Sequence, residues 1–350
     1  MTSFPDIIKI LVLRPNEFTA THAQDALEMM MEQRATSAQV SAFLVALKLN
    51  KKDEDPEIVA ACSESLHKFA MKIDFSAYDG LQDSLIDVVG TGGDGMNTFN
   101  VSTTTAIVIA GAGCKVAKFG NRAASSQCGS ADILEKIGCE ITNVTPSKVP
   151  HIINSTNFCF LFAPTFHPAV KYVGSTRREI LIPTIFNLLG PLSNPARPKR
   201  VVIGVYLKSL GKLVADALVL KGVKEAMVVH GDIGLDEISP EGQTFVWHIS
   251  NSVIKEYIVT PSDFGLPSHP ISAVKGGTPN ENAELLIQLL SNKYEGPILD
   301  FVLLNSSAAL VVSGLAKDFK DGVKLARESI INGSAKNALE EFKRLIRNEN

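Results

Sequence analysis

The sequence predicts an α/β protein: a small helical N-terminal domain followed by a larger α/β domain built on a mainly parallel central sheet. Three patterns carry that prediction. Residues 18–73 space their apolar side chains as helices do, residues 85–164 alternate short apolar runs with amphipathic stretches, and residues 167–189 return to helical spacing. Alternating strand and helix signals favour parallel pairing through right-handed crossovers. The 350 residues suffice for one large domain or two of ordinary size.

In the helical stretch, Thr19 or Thr21 can cap a first helix bearing Ala26, Leu27, Met30 and Met31. Ser37 can start a second, with Val40, Phe43, Leu44 and Leu47 on one face. Pro56 suits the first turn of a third, which carries Ile58, Val59, Cys62, Leu66 and Phe69. Residues 74–84 read as the crossing into the larger domain. Leu85, Ile86, Val88 and Val89 then form the apolar run of a buried strand. A helix at 103–112, a strand at 114–118, a helix at 130–138, a short strand near 140, a helix at 146–156 with Pro146 in its first turn, and a strand at 158–163 follow. Strands at 200–206 and 226–230 bracket a helix at 209–221, and 244–260 reads as a hairpin turning near Ser250, Asn251 and Ser252. From 280, where Asn280 is a candidate cap, the pattern is mostly helical. The expected division sets residues 1–75, joined by 167–190, against 76–166 and 191–350.

Candidate chemistry concentrates in loops after predicted strands. Gly90, Gly92, Gly93 and Gly95 occupy four of six positions, so the backbone can take positive φ and present bare N–H groups to a ligand. Asn100 or Ser102 can cap the next helix, whose positive end then faces the same loop. Open amides and a helix N-terminus together suit an anion. Thr91, Asp94, Asn97, Ser102, Thr103 and Thr104 add polar groups. The order matches neither the P-loop, which needs Gly-Lys-Ser/Thr, nor the dinucleotide GxGxxG.

A second loop, 118–132, combines the charges of Lys118 and Arg122 with Asn121, Ser125, Ser126 and Ser130, and with Gly120 and Gly129 for close approach. Two such loops at one edge of a parallel sheet mark where open α/β folds bind ligands. Asp236 and Glu237 form an adjacent acidic pair. Such a pair alone is ordinarily solvated surface, and both carboxylates are expected on an exposed loop. Beside two phosphate-binding loops it can hold Mg²⁺, which takes carboxylates, substrate phosphate oxygens and water. Arg177 and Arg178 offer a fork for a carboxylate, with a helix-surface pair as the alternative. Residues 186–195 read as a helix stopped at Gly190 and Pro191, with a role of shape alone, and Asp87 as a structural residue.

The formal net charge of −3 argues against a protein whose task is to coat nucleic acid. The first residues lack a basic n-region and a cleavage site, so no signal peptide is expected. No stretch approaches the ~18 uncharged apolar residues of a membrane span. The five cysteines show no CxxC spacing and read as reduced thiols in a cytoplasmic setting.

In order and spacing, GTGGD at 90–94, NVST at 100–103, KFGNRAASS at 118–126, GSADILE at 129–135, RRE at 177–179, FNLLGPLSNP at 186–195, DE at 236–237 and GGTPNENA at 276–283 resemble the anthranilate phosphoribosyltransferases of tryptophan biosynthesis. The resemblance implies a helical domain, an α/β domain of the class II nucleoside-phosphorylase type, and a homodimer formed through the helical domains. It implies transfer of the phosphoribosyl group from 5-phospho-α-D-ribose 1-diphosphate (PRPP) to anthranilate, with Mg²⁺ as cofactor. Position by position it assigns Gly90, Gly93, Asp94, Thr98, Asn100, Val101, Ser102, Thr103, Lys118, Asn121, Arg122, Ala123, Ala124, Ser125, Ser126 and Ser130 to PRPP. It assigns Gly90, Asn121 and Arg177 to anthranilate, and Ser102, Asp236 and Glu237 to the metal. Lys118, Asp236 and Glu237 are the expected catalytic groups. The chain departs from the family at Phe119, where histidine is usual, in a segment expected to touch both substrates. A pyrimidine nucleoside phosphorylase would share the fold but is expected to carry different glycine and lysine motifs. A non-enzymatic nucleic-acid-binding relative would need a basic face and could dispense with the acidic pair.

Overall fold

The computed structural model describes residues 3–123 and 127–347. It opens with a helix that the sequence reading did not assign, α1 (Phe4–Leu13), capped by the Ser3 hydroxyl, which accepts from the Asp6 amide. α2 (Ala20–Met31) follows Thr19. α3 (Ser37–Leu49) starts at Ser37 as expected and is capped by Thr36, which keeps extended dihedrals while its hydroxyl accepts from the Gln39 amide. α4 (Pro56–Lys68) is capped by Asp55. Thr278, not Asn280, likewise caps the helix Pro279–Leu290, and Pro279 takes its first position.

Seven strands form one sheet: β1 (Leu85–Gly90), β2 (Lys115–Gly120), β3 (Phe158–Phe162), β4 (Arg200–Gly204), β5 (Glu225–Gly231), β6 (Thr244–Ser250) and β7 (Val253–Val259), in the order β3-β2-β1-β4-β5-β6-β7. β1 to β5 run parallel, and β6 and β7 are antiparallel. Every residue of β3 is buried, as expected of a strand covered on both faces. Asn251 and Ser252 adopt φ of 49° and 66°, the positive pair that a two-residue hairpin turn requires.

Side-chain alternation splits the apolar residues between two cores. Val201, Ile203, Ala226 and Val228 face α1 to α4, together with Ile185, Leu188 and Leu189. Val202, Met227 and Val229 face the opposite layer, which includes the buried helices Val101–Gly111 and Pro297–Ser313. The helix Lys171–Ile180 packs on α2 and α3, and Phe186–Leu192 on α4, as the return to helical spacing predicts.

Three expectations fail locally. Near 140 there is no strand but a 3₁₀ turn, Ile141–Asn143; the buried Cys139, Ile141 and Val144 are spaced as a turn spaces them. The next helix, Val149–Thr156, has Pro150 in its first turn and leaves Pro146 outside. The helix Phe186–Leu192 also runs through Gly190 and Pro191 and stops only at Ser193.

Candidate active site

The strand order reverses beside β1, which has β2 on one side and β4 on the other. Ligands of open α/β sheets bind beyond the carboxyl ends of strands at such a point. There Gly90 of β1 pairs with Gly204 of β4. The chain leaving β5 doubles back through a hydrogen bond from the Gly231 amide to the Leu235 carbonyl at 2.9 Å. That turn lays Asp236 across both glycines. A Cβ on Gly204 would collide with the Asp236 backbone carbonyl, and one on Gly90 with its carboxylate.

The glycine loop joins this arrangement directly. Gly92, Gly93 and Gly95 take φ of 67°, 85° and 68°. The Gly92 amide donates to Asp236 Oδ2 at 2.6 Å. The Gly93, Asp94 and Gly95 amides find no acceptor among the described residues. Asn100 caps the helix Val101–Gly111, its Oδ1 accepting from the Thr103 amide at 3.2 Å. Val101 points inward and is buried, whereas Ser102 is partly exposed. Unfilled amides and a capped helix start therefore follow β1 in one stretch of chain, beyond the carboxyl end of the strand where the crevice of an open sheet lies, an arrangement that suits an anion.

The loop is anchored from residues to which the sequence reading gave no role. Lys275 pairs with Thr98 as an isolated bridge, and its ammonium donates to the Met96 carbonyl at 2.7 Å. Asn282 Oδ1 accepts from the Asn100 amide at 3.3 Å. Lys275 immediately precedes the 276–283 motif and Asn282 lies within it, and the polar composition of that segment was the only signal available.

Lys118 lies inside the protein, 1% exposed. Its ammonium donates to the Val88 carbonyl at 2.7 Å and to Ser102 Oγ at 3.3 Å. Burial lowers its pKa, while Asp87 and Glu237 pull the other way. Asp87 is structural, as expected: it accepts from the Phe119 amide at 3.2 Å and from the Asn194 side-chain amide at 2.8 Å. Burial lifts the Asp87 carboxyl to about 6. Asn194 also donates to the Ala117 carbonyl at 2.7 Å, so the 186–195 segment supplies hydrogen bonds beneath the site as well as shape.

Asp236 is buried, not exposed as the sequence suggests, and Glu237 is partly buried. Burial, and then the adjacent Asp94, push the Asp236 carboxyl up to about 8; burial and Asp236 push Glu237 well above its ordinary range. Such crowded, desolvated carboxylates fit a divalent cation, which would remove both penalties. Among the described residues no three His, Cys, Asp or Glu side chains form a closed cage. An open pair of carboxylates is what Mg²⁺ accepts when phosphate oxygens and water complete its shell. Ser102 enters this set through Lys118, whose ammonium holds its hydroxyl and feels Glu237.

The second loop begins later than expected, since 118–120 belong to β2. Arg122 is committed to Glu135 through Nε at 3.1 Å and Nη2 at 2.6 Å, and stands 4.7 Å over the Phe162 ring. Asn121 Oδ1 accepts from the Arg122 amide. Asp132, which the sequence reading missed, accepts from both the Ala123 and Gly129 amides at 2.8 Å, closing the loop at its neck. Its place three residues after Gly129, where a capping acid sits, was the available signal. Ser130 opens the helix Ser130–Lys136. Ala124, Ser125 and Ser126 lie outside the described residues.

Arg177 stands on the helical side, its guanidinium 5.2 Å over the Phe186 ring. It makes no ion pair or side-chain hydrogen bond among the described residues, and burial lowers its pKa. A half-buried guanidinium without a carboxylate is an open receptor for one. Arg178 is exposed. Arg177→Ala is expected to weaken binding of a carboxylate-bearing aromatic substrate by about 2–4 kcal/mol and that of PRPP far less. Equal losses in the two binding isotherms would make Arg177 structural.

Phe119 is not open to a ligand. Neighbouring strand residues point to opposite faces, so Lys118 turns toward Ser102 and Phe119 away from it. The Phe119 ring is 6% exposed and packs on His167, with centroids 5.3 Å apart. His167 Nε2 in turn lies 2.7 Å from the Ser193 carbonyl, to which it donates. The contact with substrates expected of this segment is, at Phe119, replaced by packing on His167. Phe119→His is expected to change the turnover rate by less than about tenfold, or ~1.4 kcal/mol of barrier. Steady-state rates of both forms check this; a parent protein that becomes active only with histidine would refute it.

Comparison with known proteins gives the family and the fold. The family model for the glycosyl transferase family a/b domain matches residues 82–336, and that for the family's helical bundle domain matches residues 5–70. The anthranilate phosphoribosyltransferase of Schizosaccharomyces pombe is 44% identical over 319 residues, covering 91% of this chain and 90% of its own length. This chain belongs to the anthranilate phosphoribosyltransferase family. The crystal structure of the anthranilate phosphoribosyltransferase from Thermus thermophilus superposes with a TM-score of 0.90 at 37% identity, over 98% of this chain and all of that one. The Saccharomyces cerevisiae enzyme in complex with PRPP and Mg superposes with a TM-score of 0.89 at 36% identity, over 98% and 97%.

Proposed function

We infer that this protein transfers the phosphoribosyl group of PRPP to anthranilate, giving N-(5-phosphoribosyl)anthranilate and diphosphate, a step of L-tryptophan biosynthesis. The observation that carries the reading is the meeting of three groups at one strand edge: the open Gly93–Gly95 amides, the buried Lys118 ammonium, and the Asp236–Glu237 pair. Diphosphate departure builds negative charge at that edge, and preorganised donors stabilise it there without reorganising. When bound, Mg²⁺ supplies further neutralisation of that charge. Asp236 and Glu237, with Ser102, would hold the ion. Lys118 and the loop amides orient the diphosphate. Arg177 receives the anthranilate carboxylate, so that the neutral aromatic amine attacks ribose C1 while the ring oxygen shares the positive charge. Gly90, Gly93, Asp94, Thr98 and the Asn100–Thr103 run are the further PRPP contacts of this reading, with Asn121, Arg122, Ala123 and Ser130 from the second loop.

A helical unit of residues 1–75 joined by 167–190, set against 76–166 and 191–350, is supported by the packing of Lys171–Ile180 and Phe186–Leu192 on α2 to α4. Val12, Leu13 and Leu49 leave apolar side chains exposed on that unit, which supports a homodimer formed through it. No helix among the described residues is long and apolar enough to cross a membrane. The five cysteines, which form no disulfide among the described residues, support a cytoplasmic setting. Diphosphate release from PRPP with anthranilate, and none of pyrimidine from a nucleoside with phosphate, is the expected pair of results. Nucleoside cleavage with no diphosphate release would favour the phosphorylase instead.

A further inference from the structure

A cavity of about 70 Å³ lies at the edge of the sheet opposite the crevice, where α4 meets the segment entering β4 and the end of the helix Ser209–Leu220. Glu64 and His67 line it from α4, Arg197 and Asn194 from the segment before β4, and Lys221 from the helix end. Its polar groups are incompletely matched. The Lys221 side chain is 8% exposed and its ammonium donates to Glu64 Oε1 at 2.7 Å, the one acceptor it has among the described residues. An ammonium carries three donors. Arg197 Nη2 donates to the other oxygen of the same carboxylate at 3.1 Å, so two cations share one anion. His67 is 8% exposed, and its Nδ1 has no partner among the described residues.

Buried donors without acceptors cost free energy and call for an occupant. Water could fill the space, which exceeds what one molecule needs, but would leave the positive charge uncompensated. A planar carboxylate offers two oxygens. A tetrahedral phosphate offers enough to meet the Lys221 ammonium, the Arg197 guanidinium and the His67 ring from different directions.

We propose that this pocket binds a phosphate group, either as free inorganic phosphate or as part of a phosphomonoester. The proposal is independent of the transferase reading, since no group of the crevice lines the pocket. Its position is consequential, however: Asn194 lines it and also hydrogen-bonds Asp87 and the Ala117 carbonyl under the crevice, and Ser63 of α4 donates to the Leu192 carbonyl at 2.7 Å. An occupant would thus bind at the joint between the helices and the sheet.

The test is calorimetric titration of the full chain with inorganic phosphate, comparing the parent with Arg197→Gln and with Arg197→Gln/Lys221→Met. The crevice contributes equally in all three. The parent is expected to show one saturable event more than the double variant, and that event should weaken at least tenfold in Arg197→Gln, a half-exposed change that leaves the fold intact. Superimposable isotherms for parent and Arg197→Gln would overturn the proposal, because the pocket would then hold only water. A repeat with glycerol phosphate distinguishes the sources: an equal extra event supports a phosphomonoester, and its absence with inorganic phosphate still bound supports the free ion.

Discussion

Asp236→Asn combined with Glu237→Gln is expected to lower magnesium-dependent turnover by at least about 10²–10³-fold, the scale of losing preorganised charge stabilisation. The fold should survive, because an amide oxygen can still accept from the Gly92 amide where Asp236 Oδ2 does at 2.6 Å. The pH dependence of metal-free stability gives an independent readout. Burial and Asp94 raise the folded-state pKa of Asp236 to about 8, from an unfolded value near 4. The folded state therefore holds more protons between those values, and Asp236 makes the parent progressively less stable as pH rises from about 4 to 8. The double variant lacks that slope, so its melting temperature relative to the parent should be higher at pH 8.5 than at pH 5. Undiminished turnover, or parallel melting profiles, would remove the pair from the metal site.

Gly204→Ala is expected to act almost as strongly from a position that touches no substrate. Its Cβ would strike the backbone carbonyl of Asp236, and backbone cannot swing aside as a flexible side chain would. The loop must lift, which costs roughly 1–3 kcal/mol as overpacking. A displacement on the order of 1 Å at the acidic pair should also cost about 10²-fold in turnover. Gly333→Ala separates the two effects. That residue has φ of 80° with nothing within 4 Å of a Cβ, so it should lose stability from backbone strain while turnover is kept. Turnover in Gly204→Ala equal to that in Gly333→Ala would mean that the glycine is not there to seat Asp236.

Gly204 also shows where the sequence stops being informative. Loop glycines announce themselves by clustering, and 90–95 reads as a positive-φ loop because four of its six residues are glycine, three of which adopt positive φ. Gly204 is a single glycine at a strand end, and its reason lies 32 residues away in a carbonyl that only the fold brings near. Asp236 is misjudged for the same reason: adjacency to Glu237 reveals the pair, but burial comes from the turn that lays it over β1 and β4. Continuous apolar runs made the parallel strands legible, since β1 to β4 are mostly buried segments of five or six residues. The strand expected near 140 fails because three buried residues there suffice to plug the core without a pairing partner. Phe119 is the clearest case of a residue located correctly in sequence and wrongly in space. Strand parity, fixed by where β2 begins, turns its ring to His167.

The most direct test of the account is the fluorescence of anthranilate mixed with the protein. Emission is expected to fall steadily only when PRPP and Mg²⁺ are both present, and to stay constant when either is left out. Emission that is unchanged in the complete mixture, or that falls at the same rate without Mg²⁺, would contradict it.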